Sequence, residues 1–160
     1  MHTRINKQLE KRISDMMQQL LGEIMIIDDQ PSELENLRKL LILEGFDTRI
    51  VKKSGQIFAD EALANTFLDG GDQQKIFVIS LELQDEDPME VFEHLVANYP
   101  TARFGFVASS FDSERAEDFF AAGIDAFFTK PVSFEKFLSW ARDTSSLAVD
   151  TGRSAGNRAA

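Results

Sequence analysis

The 160-residue sequence has no cysteine, which excludes disulfides and thiolate metal sites. Histidine is nearly absent. His2 lies in the terminal segment and His94 falls on a predicted helix away from the strand ends, so neither is a good general base. No apolar run approaches the roughly 20 residues of a membrane span. The N-terminal segment carries Lys and Arg but lacks the apolar core of a signal peptide, so a cytoplasmic location is expected. There is no Gly-x-x-x-x-Gly-Lys loop, no Gly-x-Gly-x-x-Gly run and no Ser-His-Asp order, which leaves no motif for nucleotide binding or triad catalysis. Positive charge is also scarce. Net charge is −10; residues 1–21 hold +2 and residues 148–160 hold +1, so the intervening chain is at −13. Such a surface repels phosphate backbones, and direct nucleic-acid binding is not expected.

With 43% hydrophobic residues, the length suits one domain with short appendages. Residues 3–21 read as a helix. Leu9, Ile13, Met16 and Leu20 follow the a/d spacing of a coiled-coil seam, with Asn6 at the preceding a position. The seam spans under three heptads. It can pair two copies of the chain, or fold against its own domain as an amphipathic helix. Gly22 is read as the helix stop. Five strand–helix units follow. Strands are expected at 23–27, 46–51, 76–81, 103–108 and 126–128. Helices are expected from Pro31 to Gly45, Ser54 to Leu68, Pro88 to Asn98, Asp112 to Ala122 and Ser133 to about Ser146. The run Ile76 to Leu81 reads as a strand buried on both faces. The pattern predicts an α/β fold with a five-stranded parallel sheet and helices on both faces. Residues 1–22 form an N-terminal helix, 23–147 the domain, and 148–160 a tail with no apolar pattern, expected to be disordered.

Right-handed crossovers put every strand's carboxyl end on one rim, where ligands bind in such sheets. Asp28, Asp29, Ser80, Ala108 and Lys130 fall there. The acidic pair Asp28-Asp29 after strand one, Lys130-Pro131 after strand five, and the order of all five units resemble the receiver domain of two-component response regulators over residues 23–146. The resemblance implies a flavodoxin-like fold and a role in phosphorelay signalling. In that family a histidine kinase phosphorylates an Asp ending strand three, the acidic pair and that Asp hold Mg²⁺, and a Lys steadies the phosphoryl oxygens. A Thr or Ser ending strand four and an aromatic on strand five act as switches.

Carried over residue by residue, only Asp28, Asp29 and Lys130 match. Ser80 stands at the acceptor position, Ala108 at the switch hydroxyl and Phe127 at the switch aromatic, while Glu82 occupies the carbonyl-donating position. A Ser hydroxyl without a base cannot replace the acceptor carboxylate. Losing that carboxylate removes one Mg²⁺ ligand. A weak or vestigial Mg²⁺ site at Asp28 and Asp29, or none, is therefore expected, with Lys130 pairing to one of the two. The expected function is that of a pseudo-receiver, a non-enzymatic module working by protein contact without phosphorylation. Nine of the fourteen Phe lie in residues 104–137. Phe120, Phe137 and Trp140 are candidates for the partner surface, against the alternative that they pack on the sheet. Two other readings stay open: a receiver phosphorylated on a displaced carboxylate such as Asp85, or the regulatory domain of a longer signalling protein. The acidic cluster Asp85, Glu86 and Asp87 reads either as a solvated loop or as an imitation of phosphate charge.

Overall fold

The computed structural model describes residues 6–12, 21–59, 74–143 and 147–151. Six parallel strands form one sheet in the order β2-β1-β3-β4-β5-β6. They are β1 (Gly22–Ile27), β2 (Phe46–Val51), β3 (Gln74–Ser80), β4 (Arg103–Ala108), β5 (Ala126–Thr129) and β6 (Ala148–Val149). The helices are α1 (Glu35–Leu43), entered through a 3₁₀ turn at Pro31–Leu34, α2 (Gly55–Ala59), α3 (Pro88–Asn98), α4 (Ser113–Ala121) and α5 (Phe134–Arg142). Residues 6–12 are also helical, while most of the a/d seam and the expected helix beyond Ala59 lie outside the described residues.

The central strands are apolar on both sides because helices cover both faces. Met25, Ile27, Phe77, Ile79, Phe104 and Phe106 face α3 and α4. Ile24, Ile26, Ile76, Val78 and Phe128 face α1 and α5. Side-chain caps fix the helix starts. Asp87 accepts from the Met89 amide at 3.1 Å, Asp112 from the Glu114 amide at 3.1 Å, and Ser133 from the Lys136 amide at 3.3 Å.

Two expectations are corrected here. Gly22 does not stop a helix; it opens β1, in register with Phe46 and Gln74. A Cβ there would stand 2.7 Å from the Gln74 carbonyl oxygen, so only glycine lets the strands meet at this point. The tail does not begin at residue 148. Ala148 donates to the Asp125 carbonyl at 3.0 Å and Asp150 to the Phe127 carbonyl at 2.8 Å, which adds β6 to the edge of β5. Thr129 Oγ1 donates to the Asp150 carbonyl at 2.8 Å, and Lys136 pairs with the Asp150 carboxylate at 3.2 Å.

Candidate functional site

The sheet order reverses at β1, and the crevice beyond the carboxyl ends of β1 and β3 is the binding position in such folds. Asp28 and Asp29 follow β1, Ser80 ends β3, Ala108 ends β4, and Lys130 follows β5. Strand pairing holds them on one rim. The Asp28 amide donates to the Val51 carbonyl at 3.0 Å, the Leu81 amide to Val107 at 2.8 Å, and the Lys130 amide to Ala108 at 2.8 Å.

The side chains here are committed to one another. Lys130 Nζ lies 3.0 Å from Asp28 Oδ2 and 2.9 Å from Glu33 Oε2. The Lys130 ammonium is the group that meets Asp28 Oδ2. Asp28 is fully buried. Burial pulls the Lys130 pKa down, but the contacts with Glu33 and Asp28 outweigh it, and the net shift is upward. Asp28 Oδ1 accepts from the Gln30 amide at 2.8 Å, and Asp29 Oδ2 from the Gln84 amide at 2.8 Å. The Glu82 carbonyl accepts from the Gln84 side-chain amide at 3.4 Å. Ser80 Oγ is buried and accepts from the Glu82 amide at 3.1 Å.

As placed, these side chains do not converge on a common point for a divalent cation, although Asp28 Oδ2 and Asp29 Oδ1 are buried without a hydrogen-bond partner. Mg²⁺ needs near-octahedral oxygen ligation. Asp28 already faces an ammonium, Asp29 keeps only Oδ1 free of a hydrogen bond, and the Glu82 carboxylate turns to Ser109. Among the described residues, no group of three or more His, Cys, Asp or Glu side chains is placed to hold a metal.

Sequence reasoning missed Glu33, Gln84 and Ser109 as members of this network. Glu33 was legible only as an acid in the turn that Pro31 opens. The acidic loop is also put to local use. Glu86 accepts from the Ser54 amide at 3.0 Å, Asp87 caps α3, and Asp85 lies 4.0 Å from Lys53. His94 is exposed on α3, as an ordinary surface residue would be.

The proposed partner surface changes most. Phe137 and Trp140 are core residues, 1% and 2% exposed. They pack on Phe128 at 5.0 and 5.5 Å between ring centroids, because the Phe134, Phe137, Leu138 and Ala141 spacing turns one stripe of α5 to the sheet. Phe120 is half-buried, and Phe119 beside it is buried. Phe127 is fully buried, with Phe111 edge-on at 5.4 Å.

The strand order, the crossing helices and the acidic rim define the fold of response regulator receiver domains, with a sixth strand added. Solved structures agree. The chain is similar to a response regulator receiver domain protein from Methanospirillum hungatei JF-1, with 24% identity, TM-score 0.58, and coverage of 74% of this chain and 89% of that one. A receiver domain protein from Clostridium thermocellum matches at 16% identity and TM-score 0.63, covering 78% and 94%. A response regulator from Burkholderia pseudomallei, solved with a phosphorylated aspartic acid, calcium ion and citrate, matches at 18% identity and TM-score 0.58, covering 75% and 66%. No family model matches the chain, and no curated protein matches it significantly. Among the described residues, no helix is long and apolar enough to cross a membrane.

Proposed function

We propose that this chain is a pseudo-receiver, a signalling module that works by protein contact and is not switched by phosphorylation at position 80. The observation that carries this reading is the Lys130 ammonium between Asp28 and Glu33, beside an acceptor position that holds a buried hydroxyl. An alcohol cannot form an acyl phosphate, and the Lys130 ammonium balances the Asp28 charge that a metal would otherwise meet. Asp28 and Asp29 are then a vestigial Mg²⁺ site. The displaced acceptor Asp85 is disfavoured because its near cation is Lys53, not Lys130. With Phe137 and Trp140 inside, the half-buried aromatics among the described residues are Phe111 and Phe120, before and on α4, and Phe134 at the start of α5. The test is incubation with acetyl phosphate, with and without Mg²⁺. No hydroxylamine-labile phosphate is expected. Efficient labelling of Asp28, Asp29 or Asp85 would overturn the reading, as would stabilisation of the fold by beryllofluoride.

A second feature of this reading concerns partners of the same kind. Every residue from 6 to 12 is exposed, and Leu9 at a d position is 56% exposed. A helix this short is marginal in water without a covered face. The a/d spacing favours a second copy as the cover, which makes the module a homodimer through its N-terminal helix. Sedimentation of the chain with and without residues 1–21 tests this. A dimer that becomes a monomer on truncation is expected, and a full-length monomer would refute it.

A further inference from the structure

The Glu82 carboxylate spans the gap between two loops. It follows β3, yet it accepts from the Ser109 amide at 2.6 Å, just past the end of β4. Ser109 Oγ adds contacts at 2.8 and 2.6 Å to its two oxygens. The Glu82 backbone is fixed as well, since its amide donates to Ser80 Oγ at 3.1 Å and the Arg115 guanidinium donates to the preceding Leu81 carbonyl at 3.3 Å. Two residues beyond Ser109, Phe111 lies edge-on to Phe127, with ring planes at 86°. The segment from Ser109 to Phe111 thus closes over a fully buried aromatic of β5.

We infer that the Glu82 carboxylate is a built-in anion that holds the loop entering α4 closed over Phe127, so that the α4 face is presented in one state without any added ligand. The inference rests on the reading above that no phosphoryl group forms at position 80. Hydrogen bonds from an amide and a hydroxyl to a carboxylate are charge-assisted and stronger than neutral ones. The loop itself offers no substitute. Ser109 and Ser110 are exposed, and the next helix cap is Asp112. Without the carboxylate, the Ser109 amide has only water to meet, and a strand-end loop in that condition opens readily. Chain length matters too: an Asp at position 82 is one methylene short of this span.

The test is amide hydrogen exchange of the full chain by NMR, comparing the parent with Glu82→Ala and Glu82→Asp. Both variants alter an exposed loop residue, so the fold is retained. Exchange at Ser109 is expected to speed up by about tenfold in both. The ring signals of Phe111 and Phe127 are expected to shift. The Leu81 amide, bonded to Val107 within the sheet, is the internal reference and stays slow. Ser109 exchange within about twofold of the parent in Glu82→Ala would overturn the inference. Equal acceleration at Leu81 would overturn it too, because the effect would then be a general loosening. The outcome is separable from the phosphorylation test. A phosphoryl adduct would refute the reading of position 80, whereas unchanged exchange would refute only the role of Glu82.

Discussion

Lys130 Nζ stands 3.0 Å from Asp28, which is fully buried, and 2.9 Å from Glu33, whose side chain is 48% exposed. The two carboxylates are not equivalent. The Glu33 contact is open to solvent and adds little. The Asp28 contact neutralises a charge that has no water to return to, and removing either partner there leaves an isolated ion in the interior.

Lys130→Met is therefore expected to lower stability by about 3 kcal/mol. The same variant frees the Asp28 carboxylate beside Asp29, so millimolar Mg²⁺ should raise its Tm while leaving the parent nearly unmoved. Thermal melts in EDTA and in Mg²⁺ measure both effects. A Mg²⁺ response as large in the parent would contradict the vestigial character of the site.

Ser80→Asp restores a carboxylate at a fully buried position beside the acidic pair. The added charge should cost about 1–3 kcal/mol without metal, and Mg²⁺ should recover most of that loss. Acetyl phosphate should label this variant with hydroxylamine-labile phosphate where it fails to label the parent. Failure in both would mean that more than the acceptor has been lost.

At the opposite end of the sheet, Glu23 is 4% exposed on β1, next to Asp47 on β2 and Lys75 on β3. Burial pushes its carboxyl up from 4.5 to about 7; Lys75 opposes this, Asp47 adds to it, and Arg49 opposes it. Among the described residues, its Oε2 has no hydrogen-bond partner. The folded state prefers the neutral acid, so the group's contribution is full below 4.5 and is lost as pH rises through about 7. The unfolding free energy from urea titration should fall between about pH 5 and about pH 8, by roughly 3 kcal/mol at most. Glu23→Gln should flatten that dependence. A parent protein whose stability is level across this window would refute the assignment.

Gly105 in β4 gives Trp140 its place. A Cβ at Gly105 would stand 3.2 Å from the far edge of the indole and 3.5 Å from the Ala126 Cβ. Arg103 lies over the same ring at 4.5 Å and donates to the Trp140 carbonyl at 2.7 Å, so the ring has little freedom to retreat. Gly105→Ala is expected to cost about 1–3 kcal/mol by overpacking. Trp140 is the only tryptophan, and its fluorescence follows unfolding in urea directly.

The strands were legible because β1, β3 and β4 are apolar runs, which a sheet covered on both faces demands. Asp28, Asp29, Ser80 and Lys130 could be placed on the rim from order and spacing alone. β6 could not be read: two residues, Ala148 and Val149, carry no pattern, and their pairing depends on where α5 returns the chain. Glu33, Gln84 and Ser109 were equally silent, because their contacts depend on loop paths that no periodicity encodes. Trp140 and Phe137 were readable in principle. Their stripe along α5 signals packing on the sheet, the alternative to a partner surface, and both are buried there.

The direction of β6 has a practical corollary. Since it runs parallel to its neighbours, Thr151 comes out on the same rim as Lys130, and the two residues line one cavity of about 590 Å³. Thr151 therefore stands at the mouth of the cavity that Lys130 lines. A fluorophore tethered at position 151 would report on that cavity without any change to Lys130.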